Sequence, residues 1–250
     1  MPTASSGQTI PRRVSLLQNV PLFADLNKTD LGRLVHDFHL RVYNKNEAIF
    51  HQGDMSRELY IILKGKIRIF KISPAGDETS LNIFADYDLF GELATIDQKP
   101  RSASAKAVVR TTLLVMAHSQ FEAHVQAMPQ LALSLNRLLT QKLRWTAAYA
   151  AAVAQYDAAA RLLHILLLFN EKFGEEIVPG KQYVLDLSLN QTDLASFVGA
   201  RREWVNRLMG DWRKRGLIDY DAGKIIILDL PRVEQERDGR IEGFQDEVKW

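Results

Sequence analysis

Between Arg41 and Met116 short apolar runs alternate with turn residues. The runs Ala48-Ile49-Phe50, Leu59 to Leu63, Ile67 to Ile72, Leu81 to Phe84 and Val108 to Met116 are rich in β-branched and aromatic side chains, and Gly53-Asp54, Gly65 and Pro74-Ala75-Gly76-Asp77 punctuate them. That rhythm predicts many short strands closed into a β-roll or barrel, because branched and aromatic side chains pack well on a pleated surface. Ahead of it, Leu16, Leu17, Val20, Leu22, Phe23 and Leu26 form an apolar lead-in. Asn27 with Asp30 three positions on makes a capping-box pattern, and Leu31, Leu34, Val35 and Phe38 follow at helical spacing, so a short helix is expected there.

The period changes after Pro129. No glycine or proline follows until Gly174, alanine and leucine are frequent, and one long helical span to about Phe169 with a single break is expected. Leu139, Leu143, Thr146, Ala150 and Val153 form one stripe of heptad spacing, and Leu131, Leu135, Leu138, Lys142, Trp145, Tyr149, Ala152 and Tyr156 form a second. Two stripes need two covers. The simplest pair is the chain's own roll on one side and the identical helix of a second copy on the other, with an intramolecular helix packed on both sides as the alternative. Small residues at Ala147, Ala148 and Ala150 to Ala152 allow close approach of two helices.

Past Gly174 a new pattern begins, with Tyr183 to Leu187 as a strand. Asn190 caps a short helix whose core face is Leu194, Phe197 and Val198, and Asp193 occupies the capping-box position. Gly199 makes a turn, a second helix runs from about Arg201 to Arg215, and Gly216-Leu217-Ile218, Gly223 and a strand from Ile225 to Leu228 follow. Helix, glycine turn, helix, hairpin is the order of a winged helix-turn-helix. From Arg232 to Trp250 the chain is polar and reads as a short helix or disorder.

Composition narrows the classes. The 250 residues are 46% hydrophobic, enough for two modest domains. The absence of cysteine excludes disulfides, cysteine-held zinc and iron–sulfur clusters, and points to a cytoplasmic protein. Met1 to Arg13 lacks the apolar segment of a signal peptide, and no later run is long enough to span a bilayer, so no membrane partner is expected. There is no phosphate-loop lysine motif, no HExxH and no nucleophile elbow, and His36 and His39 read as surface residues, so neither a catalytic nor a metal site is expected and the protein is read as no enzyme.

The net charge of +2 is uninformative until it is located. Between Ser188 and Gly216 the bases Arg201, Arg202, Arg207, Arg213, Lys214 and Arg215 face only Asp193, Glu203 and Asp211. At about 100° per residue from Arg202, Asn206 falls at about 40°, Glu203 at about 100° and Arg207 at about 140°, whereas Leu208, Trp212, Val205 and Met209 fall between about 240° and 340°. Arginine forks match guanine O6 and N7, and a carboxylate accepts from cytosine N4, so this arc can read G·C-containing steps in a major groove. The competing reading is an intrahelical ion pair on a solvated face. Trp204, at about 200°, sits at the boundary between the faces.

A second constellation lies in Phe90 to Ala107. Gly91, Glu92, Arg101 and Ser102 join a close-approach backbone, a carboxylate, a guanidinium and a hydroxyl within a dozen residues, flanked by strand-like runs. Arg101 suits a phosphodiester, Ser102 adds a hydroxyl, Gly91 lets a backbone approach, and Glu92 accepts from a ribose 2′-hydroxyl. Gly91-Glu92-Leu93 followed by Arg101-Ser102-Ala103 is similar to the cyclic-nucleotide cassette of the cyclic-AMP receptor protein (CRP/FNR) family, and the resemblance extends over roughly Val14 to Val233.

That resemblance implies an α+β fold: a jelly-roll-like cyclic-nucleotide-binding β-roll at 14–128 after a flexible tail at 1–13, a dimerisation helix at 129–157, a winged helix-turn-helix at 158–232, and a tail at 233–250. It implies cyclic AMP as ligand, no other cofactor, and double-stranded DNA, a second copy and RNA polymerase as partners. Pocket contacts carry over to Gly91, Glu92, Leu93, Arg101 and Ser102, and Thr146 falls where the family's long-helix threonine bonds the adenine amino group. Ala147 replaces the serine that reaches the other subunit's ligand. Arg202, Glu203 and Arg207 match the family's base-reading set, with Arg201 and Asn206 beside them, which implies a TGTGA-like half-site in a palindrome. Trp204 replaces a usual threonine. Cyclic GMP, cyclic di-GMP, ligand independence, or a sensing module that no longer binds DNA are the rival expectations.

Overall fold

In the computed structural model, which describes residues 10–221 and 223–240, the chain begins with α1 (Ile10–Gln18), a 3-10 turn at Pro21–Phe23, and α2 (Lys28–Val35). The side chain of Asn27 accepts from the amide of Asp30 at 2.9 Å, so the cap read from sequence is formed. α1 starts inside the stretch expected to be a flexible tail, because Val14 and Leu17 lie on one helical face and pack into the core; positions 1–9 lie outside the described residues.

The strands β1 (His39–Tyr43), β2 (Ala48–Phe50), β3 (Leu59–Lys64), β4 (Ile67–Ile72), β5 (Glu78–Phe84) and β6 (Leu89–Phe90) follow, then α3 (Glu92–Asp97), β7 (Ser104–Ala107), β8 (Thr111–Met116), α4 (His118–Ala127) and α5 (Pro129–Gln155). They form two four-stranded sheets in the orders β1-β8-β3-β6 and β2-β7-β4-β5. Side chains alternate across β3: Tyr60 and Ile62 enter a core with Phe50, Ile67, Phe84 and Phe90, while Leu59 and Ile61 enter another with Phe23, Leu34 and Leu131. Each such fully buried side chain contributes about 1.5–3 kcal/mol through area removed from water. This explains why β3 reads as a continuous apolar run.

The chain clusters into two units, the first made of residues up to Phe70 with Asn82–Lys142 and the second of Lys71–Leu81 with the chain from Leu143 on. The second contains the end of α5 and then α6 (Ala158–Phe173), β9 (Gly174–Val178), β10 (Gln182–Asp186), α7 (Gln191–Val198), α8 (Arg202–Lys214), β11 (Ile218–Asp221), β12 (Lys224–Ile227) and α9 (Leu230–Asp238). The break in the long helical span falls at Asp157, whose carboxylate accepts from the Ala160 amide at 2.7 Å and so starts α6. Phe169 ties the unit together, stacked on Trp145 at 5.3 Å and edge-on to Phe197 at 5.4 Å. Tyr149 donates to the carbonyl of Phe197 at 2.9 Å.

The wing sheet has the order β11-β12-β10-β9. Its edge strand β9 was not legible in the sequence pattern, since Gly174, Glu175 and Glu176 lack an apolar alternation and the strand is mostly exposed. α9 occupies the start of the expected tail because Asp229 caps it and Val233 is fully buried; positions 241–250 lie outside the described residues. Among the described residues no helix is long and apolar enough to cross a membrane.

Candidate functional site

The β6–α3 corner brings Gly91, Glu92 and Arg101 together. Gly91 has φ of 81°, and a Cβ there would lie 2.8 Å from Nη1 of Arg101 and 3.0 Å from the carbonyl oxygen of Glu58. Only glycine both adopts that conformation cheaply and leaves the guanidinium its place. Arg101 is 3% exposed. Its Nη1 donates to the Gly91 carbonyl at 2.8 Å, its Nη2 to the Glu58 carbonyl at 2.7 Å and its Nε to Ser56 Oγ at 3.1 Å. Its Cζ lies 4.2 Å from the centroid of Phe50 and 5.5 Å from that of Tyr60.

All the hydrogen-bond partners of Arg101 are neutral. Burial is the largest influence on the guanidinium and holds its pKa below the ordinary value. Glu58, one of the carboxylates that attract it, is already engaged, receiving Arg41 Nη1 at 2.8 Å and Nη2 at 2.5 Å and the Tyr60 hydroxyl at 2.8 Å. Burial opposes ionisation of Glu58, but Arg41 and Tyr60 outweigh it and hold the carboxyl below its usual range. A buried cation with no salt bridge among the described residues, and with Coulombic support only at longer range from Glu58 and Asp54, is a ready anion site, because part of its desolvation cost is already met and an anion in contact would add to the gain.

Glu92 opens α3 and is 4% exposed. Lys142 on α5 reaches it at 2.9 Å, donates to the Leu89 carbonyl at 2.7 Å, and sits 4.7 Å from the centroid of Phe84. The sequence reading missed Lys142 as a pocket residue. Its signal was present, since a lysine in an otherwise apolar helical stripe needs a carboxylate partner on the surface it packs against. Ser102, next to Arg101, is exposed, and Leu93 is 49% exposed. Thr146 is exposed on α5, one turn beyond Lys142.

In the second unit, Asn190 and Asp193 form the complete capping box of α7, and Gly199 ends that helix with φ of 65°. α8 then divides as its periodicity predicts. Val205, Met209 and Trp212 are buried, Trp204 is half-buried, and Arg201, Arg202, Glu203, Asn206 and Arg207 are exposed. Arg202, Glu203 and Arg207 form no ion pair among the described residues, so the intrahelical pairing that competed with base reading is not made. Two of the basic residues counted toward the interface have structural partners instead. Arg213 pairs with Asp219 at 2.7 Å, and Arg215 pairs with Asp211 at 3.2 Å and with Glu236.

The comparisons with known proteins fall on these two regions. Residues 40–127 match the cyclic nucleotide-binding domain and residues 160–236 the Crp-like helix-turn-helix domain. An anaerobic regulatory protein of Bacillus subtilis is 30% identical over 210 residues, 83% of this chain and 87% of its own. The chain belongs to the CRP/FNR family of transcription regulators. Among its CRP/FNR relatives, a CRP-like cAMP-activated global transcriptional regulator of Mycobacterium tuberculosis is 28% identical over 87% of this chain and 96% of its own. The solved structure of a c-di-GMP-responsive global regulator of Xanthomonas campestris superposes with a TM-score of 0.68 at 20% identity, covering 81% of this chain and 99% of that one, which supports the fold. This CRP/FNR chain is therefore a DNA-binding regulator that carries a cyclic-nucleotide-binding domain.

Proposed function

We propose that the protein is a cyclic-AMP-responsive, homodimeric, cytoplasmic transcription regulator that reads a TGTGA-like palindrome. The observation that carries the ligand reading is Arg101, a buried guanidinium hydrogen-bonded only to neutral groups beside a glycine corner and a carboxylate. A 3′,5′-cyclic phosphodiester supplies the single negative charge that Arg101 lacks, and Glu92 accepts from the 2′-hydroxyl. Ser102 stands at the rim as a further donor, Leu93 borders the site, and Thr146 contacts the base. The cyclic-nucleotide domain spans 14–128, α5 with its following link (129–157) is the dimerisation helix, and 158–232 form the DNA-binding domain.

Exposure along α5 supports the dimer. Leu143 is 68% exposed and Val153 46% exposed, and Thr146, Ala147 and Ala150 are exposed between them, so one heptad stripe remains for a second copy. Base reading falls to Arg202, Glu203 and Arg207, with Arg201 and Asn206 flanking them, and the DNA-bound dimer presents a surface to RNA polymerase. Ligand acts by favouring the arrangement of the two long helices in which both α8 helices match successive major grooves.

Fluorescence anisotropy tests this reading with a labelled TGTGA palindrome, with no ligand and with cyclic AMP, cyclic GMP or cyclic di-GMP. Cyclic AMP is expected to tighten binding to the palindrome and leave a scrambled duplex unchanged. A response to cyclic di-GMP alone overturns the ligand assignment, and equal binding to both duplexes overturns the half-site.

A further inference from the structure

The reading face of α8 is joined to α7 by a side-chain contact that the sequence pattern did not suggest. Nε2 of Gln191, the first residue of α7, donates to Oδ1 of Asn206 at 2.9 Å. The two residues are fifteen positions apart, Asn206 exposed and Gln191 half-buried, and the left-handed turn at Gly199 folds α7 back so that they meet. Asn206 is one turn after Arg202 and adjacent to Arg207, within the arc that faces a groove.

An asparagine amide offers two donors on Nδ2 and two acceptor lone pairs on Oδ1. Left alone on a helix surface it turns freely about its last torsion, which is broad and two-fold, so it presents a donor or an acceptor with similar ease. The hydrogen bond with Gln191 narrows that freedom, because the two amides can turn over only together. It occupies one lone pair of Oδ1, fixes the plane of the amide, and leaves the second lone pair and both Nδ2 hydrogens to meet a base. One acceptor beside one donor is the pattern that matches adenine N6 and N7 in the major groove.

We propose that Asn206 reads an adenine in each half-site and that Gln191 is the positioning residue that sets the orientation of its amide. This rests on the reading of α8 as the base-reading helix and adds a specificity determinant outside that helix. The opposing idea is that Gln191, at the N-terminus of the first helix of the motif, is a phosphate contact, because that helix crosses the DNA backbone in such complexes. The two differ in what Gln191 controls. A phosphate contact affects all sequences alike, whereas a positioning residue affects one base pair.

The experiment is a binding-site selection from a randomised duplex library. It uses the full-length protein with and without saturating cyclic AMP, sequencing the bound pool for wild type, Asn206→Ala, Gln191→Met, Gln191→Glu, the double variant Gln191→Met with Asn206→Ala, and Arg202→Ala. Wild type is expected to favour A·T at one position per half-site by about tenfold, and Asn206→Ala to erase that preference. Gln191→Met keeps the side-chain length but not the donor, and is expected to weaken the preference at the same position while binding random DNA as wild type does. Gln191→Glu presents only acceptors, turns the Asn206 amide over, and is expected to shift the preference at that position away from A·T. The double variant is expected to match Asn206→Ala.

A uniform loss on all sequences with Gln191→Met, or an unchanged preference at the Asn206 position, overturns the positioning role. A wild type that selects sites through Arg202 but is indifferent to Asn206→Ala overturns this proposal alone. A wild type with no base preference under either condition overturns the base-reading assignment and this proposal with it.

Discussion

The proposed ligand pocket and the proposed base-reading helix use arginine in opposite ways. Arg101 is 3% exposed and held by three neutral acceptors and two aromatic rings. Arg202 and Arg207 are exposed and without ion pairs among the described residues. The first arrangement suits a small anion, for which the ordering and desolvation costs are met by the fold. The second suits a long, regular polyanion that brings its own charge and releases its own counter-ions, so the protein gains little by ordering the side chains in advance. In the proposed function, local burial therefore separates an internal input from an external output even though both depend on guanidinium chemistry.

The largest expected effect tests the buried half of that contrast. Arg101→Ala removes the guanidinium hydrogen-bonded to the Gly91 carbonyl and is expected to cost about 2–5 kcal/mol of cyclic-AMP affinity, read by titration calorimetry. Arg101→Lys retains the charge but not the fork, and is expected to recover only part of it. Unchanged binding in both variants removes Arg101 from the phosphate role. A middle-sized effect tests the exposed half. Glu203→Ala is expected to relax discrimination at one base pair by about 1–3 kcal/mol, whereas Lys214→Ala weakens all duplexes alike and lowers the salt slope by about one. Equal losses on cognate and random duplexes for both variants, measured by anisotropy across salt concentrations, contradict the division of labour along α8.

Much of this architecture was legible because local chemistry and tertiary packing agree. Asn27 and Asn190 cap helices with the partner expected three residues on, and β2 and β4 have the bounds that their apolar runs suggested. Gly91 and Arg101 stood out in the sequence as separate ligand contacts, and the fold adds that they touch each other, Arg101 Nη1 donating to the Gly91 carbonyl in space a Cβ would take. What was not legible depended on long-range pairing. Lys142 looked like a flaw in an apolar stripe until Glu92 was placed 2.9 Å away. Strand β9 carries no alternation because it is an exposed edge held by its backbone ladder to β10. Arg213 and Arg215 counted as DNA-facing charge until Asp219, Asp211 and Glu236 were found beside them. Sequence proximity shows charge density, but only the fold shows which charges are already paired.

The smallest expected effect turns on one of those paired charges. Hydrogen bonding from Arg215 is the main cause holding the Glu236 carboxyl down to about 2 against an ordinary 4.5, with burial opposing and Arg240 adding to the effect. A depressed carboxyl pKa stabilises the fold wherever the unfolded carboxyl is also ionised. The contribution is thus full above pH about 4.5 and disappears as pH falls through about 2. Arg215 is 41% and Arg240 34% exposed at the side chain, so solvent screening limits the effect to about 1 kcal/mol. Glu236→Gln is therefore expected to lower unfolding stability by about that amount at neutral pH, with the gap to wild type narrowing steadily in urea titrations below pH about 4. Ligand affinity and base preference should be unchanged, since neither Arg101 nor Arg202 depends on this pair. A gap that persists undiminished in strong acid would mean that Glu236 acts through packing rather than charge. An altered base preference would mean that the Arg215 anchor sets the pose of α8, and the contrast between the buried Arg101 and the exposed arginines of α8 would then have to be drawn less sharply.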